Sequence, residues 1–458
     1  MANNEKTFIR TGVYLWGERV GSVVWNGQIY KTEFSYDSQF IKKGLQIAPI
    51  KMPLLEKIYA FSSWDNEGPP GLPGLLAASL PDRFGRRLIV ASLEVDGRRG
   101  ESLNPVEQLY YIGTRGMGAL EYIIEDFSET LRTYPSYSGP LDIDELFEIA
   151  AAVPDSWHND KSFEFLKTYR KALHILYQVG SPVGGNRAKA LIAFNPSNGE
   201  VLPGRADVPD GFEHWIIKFD GANKKSLGDS VGVGRIEYAY HLMAVEAGIK
   251  MMPCRLLEEN GRAHFMTKRF DRLPGNEKVH VQSLWALQHY NHSLAYEYRY
   301  EQVFDTILEL QLGTESIQEM YRRMVFNILA RNQDDHTKNI AFMMNKTGSW
   351  QLTPAFDIVW QYSQPSPKGL FADLISDGGE SRGHLLSVNG KHDNFTIGDL
   401  ESVADRYGIF KAKEICNQVA DAVALWPRFA KKAGIKTEII RALKSTFRLH
   451  ILDLGHSV

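Results

Sequence analysis

The run Asp334-Asp335-His336-Thr337-Lys338-Asn339 holds the pair of residues best suited to chemistry. Its Asp-x-x-x-x-Asn spacing places a carboxylate and a neutral amide on one loop. The carboxylate of Asp334 could receive and orient a hydroxyl nucleophile, while the amide oxygen of Asn339 could ligate Mg²⁺. Alone, the spacing is better explained as a polar turn after a helix, since Asp and Asn five apart occur often by chance. A second carboxylate, Asp357 in LTPAFDIVW, strengthens the chemical reading. It follows a strand expected over 349–354, and the intervening AFMMNKTGSWQL reads as a hairpin that would bring Asp357 back to Asn339. Asp357 would then be the principal Mg²⁺ ligand, a role compatible with capping a helix over IVWQY.

Two upstream features complete the set. Lys218 lies in WIIKF, where strand alternation favours burial, and a buried ammonium needs a partner. ATP phosphates and Glu237, at the start of EYAYHLMAVEAGI, would supply partners; an exposed edge strand would need none. Val183-Gly184-Gly185-Asn186 precedes LIAF and could let backbone N–H groups approach phosphates, although it also reads as a tight turn. Glycine loop, Lys, Glu, Asp-x-x-x-x-Asn and Asp, in that order, point to phosphoryl transfer from ATP with Mg²⁺.

Several elements must position these residues. Residues 11–35 read as a strand meander with a two-residue hairpin turn at Asn26-Gly27. Helices interrupted at Pro81 follow, and 134–140 reads as a linker or a surface loop. Strands are expected over 191–194, 214–220, 253–257 and 264–268, with a helix over 237–249. Helical periodicity returns over 299–311, 317–331 and 411–453. The organisation is α+β: an N-terminal domain over 1–140, a kinase N-lobe-like region over 155–275, and a helical C-lobe over 276–458.

Composition narrows the function classes. With 458 residues, 43% hydrophobic and 23% charged, the chain can bury two or three cores. A formal net charge of −3 gives no global attraction to nucleic acid. The two cysteines, Cys254 and Cys416, form no CxxC pattern, which argues against a disulfide framework or structural zinc and fits a reducing cytoplasm. No apolar run approaches the about 18 residues needed to span a bilayer, and the first 30 residues carry too many charges for a signal peptide. None of the 13 histidines shows HExxH or a similar ligand spacing. His289 and His292 read as part of a solvated polar loop.

The segments VGGNRAKALI, WIIKFD, EYAYHLMAVEAGI, TKRFDR, DDHTKNIAF and LTPAFDI, in this order, resemble successive landmarks of the HipA family. VYLWGERVGSV, PGLLAASLPDRFG and LLSVNGKHDNFTIGDL extend the resemblance over nearly the whole chain. It implies a protein-kinase-like fold with an extra N-terminal domain and a helical C-terminal lobe. Asp334 would be the catalytic Asp, Asn339 and Asp357 the Mg²⁺ ligands, and Lys218 the ATP-phosphate lysine. Lys268, Arg269 and Phe270 would line the adenine site, mainly through backbone groups, with His336 against the nucleotide. The resemblance also implies a toxin that phosphorylates Ser or Thr on a protein such as an aminoacyl-tRNA synthetase. Its partner would be a small DNA-binding antitoxin of the HipB kind, with DNA contacted through that antitoxin.

The sequence departs from the family pattern in places. Pro182 stands where family members carry an autophosphorylated Ser, so Ser181 is the neighbouring candidate. Lys268 stands where the family often has an acidic residue. Asp335 could add a metal-binding charge but is read as a solvated or helix-capping side chain. The competing functions are a small-molecule phosphotransferase and a catalytically idle partner of a DNA-binding antitoxin.

Overall fold

A computed structural model describes residues 8–28, 31–61, 71–97, 103–125, 136–153, 160–180, 187–205, 207–221, 232–291, 296–362 and 383–452. Contacts gather the chain into two units that do not follow chain order. The first joins Met1–Gly228, Thr267–Ser293 and Met343–Ser349; the second joins Asp229–Met266, Leu294–Phe342 and Trp350–Val458.

In the first unit the meander forms an antiparallel sheet. Its strand order is Ile58–Phe61, Lys31–Tyr36, Glu18–Asn26, Phe8–Leu15 and Leu120–Ile124. Alternate residues point to the core, among them Val13, Leu15, Val23, Phe34 and Tyr36. The two-residue turn is at Trp16-Gly17, where both φ angles are positive (52° and 80°), and not at Asn26-Gly27. Asn26 still pairs with Lys31, and its side chain accepts the Gln28 N–H at 3.0 Å, so it opens the connection over 27–30.

Helices Gly74–Ala77 and Arg83–Val95 break at Pro81 as expected. Asp82 caps the second by accepting from Gly85 N, and its carboxylate also meets Lys189 at 3.1 Å, with both side chains buried. A second antiparallel set in this unit runs Val201–Pro203, Lys189–Phe194, Glu213–Lys218. Every residue of Lys189–Phe194 is buried.

The second unit carries helix Val233–Glu246, which begins four residues before the expected 237, so Glu237 falls in its second turn. Neighbouring strands Cys254–Glu259 and Arg262–Lys268 are joined at Asn260-Gly261, with φ of 44° and 78°. Helices Tyr300–Glu309, Gly313–Leu329, Ile397–Arg406, Ala412–Ala424, Trp426–Lys432 and Thr437–Lys444 build the rest, around a core containing Tyr240, Phe326, Trp426 and Phe447. Among the described residues, no helix is long and apolar enough to cross a membrane.

Candidate active site

Helix Gly313–Leu329 ends at Ala330, and Arg331 turns the chain with φ 57°. The next residues run extended beside 361: Gln361 N–H donates to Arg331 O at 3.0 Å and Gln333 N–H to Gln361 O at 3.1 Å. The strand pair Ala341–Met344 and Trp350–Leu352 then returns the chain, as the expected hairpin requires. Thr353 N–H donates to Ala341 O at 3.0 Å, and Ala355 N–H donates to Lys250 O at 2.7 Å. These backbone bonds hold 331–341 and 353–361 side by side, and they set Asp334, Asp335, Asn339 and Asp357 around one pocket.

Inside the loop, Asn339 Nδ2 donates to Asp334 O at 2.9 Å and Asn339 N–H to His336 O at 2.9 Å. With its NH₂ engaged, the amide presents its oxygen as the end able to ligate a cation. The Asp334 side chain is 45% exposed, with His336 Nε2 3.7 Å from Oδ1. Asp357 has φ 57°, a left-handed conformation uncommon outside glycine but better tolerated by Asp and Asn. No helix begins there, so Asp357 is not a helix cap.

Asp335 corrects the sequence reading of a solvated or capping side chain. It is 1% exposed, and its carboxylate accepts from Tyr300 OH (2.9 Å), His384 Nδ1 (2.7 Å) and Leu385 N–H (2.9 Å). A buried carboxylate needs such donors. Burial pushes the His384 imidazole down, against the raising pull of Asp335. Tyr300 and His384 were not visible as site residues. They lie 35 and 49 positions from Asp335 and carry no local motif.

The remaining expected site residues divide between the units. Glu237 belongs to the second unit and is 2% exposed. Lys218 belongs to the first, half-buried at the end of its strand, with its Cα paired to Lys189. Lys268 pairs with Glu213 at 2.7 Å, both side chains about one-third exposed. Phe270 is partly buried. Arg269 is buried, its N–H already donates to His214 O at 2.9 Å, and its guanidinium binds Asp271 and Gly116 O. Asp271 is tied to Arg272 and the Gly118 N–H as well. Burial works to raise the Asp271 carboxyl, but these cations and the amide outweigh it and hold it far below the usual carboxylate range. Ser181, Pro182, Val183, Gly184, Gly185, Asn186 and His292 lie outside the described residues.

Comparison with known proteins identifies the family of the chain. The family model described as HipA-like C-terminal domain matches residues 181–426, and that described as HipA N-terminal domain matches 11–123. The chain belongs to the HipA family. Among solved structures, HipA from the Shewanella oneidensis MR-1 toxin–antitoxin complex of HipA, HipB and operator DNA is similar, with a TM-score of 0.63 and 14% identity over 95% of both chains. That similarity shows a shared mixed helix-and-sheet fold. The Helicobacter pylori proinflammatory kinase CtkA matches with a TM-score of 0.32 and 13% identity, over 52% of this chain and 89% of that one. No curated protein sequence matched. In this HipA-family chain, then, the Asp334–Asn339 loop and Asp357 share one pocket within the C-terminal match.

Proposed function

We propose that this chain is a serine/threonine protein kinase, the toxin of a toxin–antitoxin pair, using ATP and Mg²⁺ in the cytoplasm. The observation that carries the reading is the convergence of Asp334, Asn339 and Asp357 on one pocket, with the Asn339 amide turned by its bond to Asp334 O. Among the described residues, no group of three or more His, Cys, Asp or Glu side chains is arranged as a metal cage. Two hard oxygen donors on one pocket suit Mg²⁺, which takes its other ligands from water and phosphates. Asn339 and Asp357 would hold the ion, and Lys218 the phosphates. Bound, Mg²⁺-ATP supplies a phosphoryl group with part of its charge neutralised.

The chain's own residues do the rest. The Asp334 carboxylate accepts a hydrogen bond from the incoming Ser or Thr hydroxyl, orients its oxygen and takes up its proton as the phosphoryl group passes to that oxygen and ADP leaves. Its exposure leaves the carboxylate open to a protein substrate. A HipB-like DNA-binding antitoxin as partner is supported by family membership and by the composition of the Shewanella complex. Any contact with DNA then runs through that antitoxin.

The test is incubation of the purified protein and its Asp334→Ala variant with γ-labelled ATP and Mg²⁺, then phosphosite mapping that includes Ser181. Label on Ser or Thr with wild type alone supports the reading. Wild-type transfer by Asp334→Ala overturns the site. Transfer to a small soluble acceptor alone makes the chain a small-molecule phosphotransferase. Absence of ATP binding leaves a catalytically idle antitoxin partner.

A further inference from the structure

The two acidic residues of the loop face different surroundings. Both line the pocket, but the Asp334 side chain is 45% exposed, whereas the Asp335 carboxylate is tied into a buried chain of hydrogen bonds. Asn332 Nδ2 donates to Asn327 Oδ1 (2.9 Å), Asn327 Nδ2 to Tyr300 OH (2.9 Å), and Tyr300 OH to Asp335 Oδ2. On the far side, His384 Nδ1 donates to Asp335 Oδ2 and the Leu385 N–H to Oδ1. A carboxylate can only accept, so Nδ1 carries the proton.

The partners come from separate elements. Tyr300 opens helix Tyr300–Glu309, and Asn327 lies in helix Gly313–Leu329. His384 and Leu385 belong to a later segment that is itself sewn down. The Leu385 N–H donates to Gln333 O (3.3 Å), the Tyr300 N–H to Ser387 O (2.9 Å), and the His384 N–H to His392 O (2.7 Å). One side chain therefore ties the loop to helix Tyr300–Glu309 and to the segment at 384–387, and through Tyr300 to Asn327 of helix Gly313–Leu329. Asp334 is fixed from its other side by the Asn339 bond to its carbonyl.

We propose that Asp335 is a positioning residue. Its buried carboxylate locks the backbone that carries Asp334 against Tyr300 and His384, and so sets the direction of the Asp334 carboxylate. The inference deepens the kinase reading and rests on it for the catalytic consequence. Removing the charge leaves four donors, the Tyr300 OH, His384 Nδ1 and the N–H groups of Leu385 and Leu386, facing an amide or a void, and the loop relaxes. A displacement of about 1 Å in a catalytic group can lower turnover on the order of 10²-fold.

The experiment compares Asp335→Asn, His384→Asn and His384→Leu with wild type. An asparagine at 384 keeps a donor close to the place of Nδ1, whereas leucine removes it. The readouts are kcat, KM for ATP, and hydrogen exchange at the amides of Leu385 and Leu386. Expected for Asp335→Asn are a kcat lowered about 10- to 100-fold, an ATP KM within about twofold, and faster exchange at 385–386. His384→Leu should reproduce the kcat loss, and His384→Asn should recover most of it. If Asp335→Asn does not fold, the two His384 variants decide alone. Unchanged kcat, or equal turnover by the two His384 variants, overturns the positioning role. Unchanged exchange at 385–386 overturns it whether or not the protein transfers phosphate. Failure of the kinase reading itself would appear separately, as wild-type transfer by Asp334→Ala.

Discussion

Asp334 and Asp335 differ by one position and line the same pocket, yet their side chains are 45% and 1% exposed, and the second is held by a set of buried donors. Asp357 shows a third situation, a carboxylate on a left-handed backbone at the same pocket. Because asparagine tolerates that φ, Asp357→Asn isolates charge from conformation. It should leave the melting temperature nearly unchanged and lower phosphoryl transfer about 10²- to 10³-fold, checked by calorimetry and labelled ATP. The convergence of Asp334, Asn339 and Asp357 on one pocket was legible because the hairpin between them is local. Asp335 was not, since its burial depends on Tyr300 and His384, which only tertiary folding brings near.

At the scale of elements, close approach outweighs local preference. Gly234 sits in helix Val233–Glu246, where Ala normally gains about 1 kcal/mol. A Cβ there would fall 2.1 Å from Ala263 O, so Gly234→Ala should instead lose about 1–3 kcal/mol in urea denaturation. Asp82 ties the start of helix Arg83–Val95 to the buried Lys189. Asp82→Ala would remove the helix cap together with a buried ion-pair partner of Lys189 and should cost about 3–5 kcal/mol, read by the same titration. Strands and helices were visible from periodicity, with ends displaced by a few residues. The Asn-Gly signal was ambiguous: the same dipeptide makes a two-residue turn at 260–261 and opens a longer connection after 26, because register is set by the paired strands.

Across the molecule, acid sensitivity follows from buried imidazoles. Burial pushes His214, His241, His280 and His289 down from 6.5 to about 4, and His289, which accepts from the Gly74 N–H, is thereby not the solvated loop residue expected from sequence. In the unfolded chain they bind protons near 6.5, so the stability they contribute is fully present above that pH. It is lost as pH falls from about 6.5 through about 4. Denaturation midpoints should drop over that window, and replacing His280 with glutamine should flatten the slope. The bonds from Asp271 to the Gly118 N–H, and from Arg269 and Arg272 to Gly116 O, span more than 150 positions of chain. A ribosome adding ~5–20 residues per second needs roughly 8–30 s to cover that distance. The turn at 116–118 therefore waits, after its own synthesis, for a partner still to be made. During that interval the nascent N-terminal region has its sheet but not the buried ions that anchor the turn, and this is when a chaperone would find it.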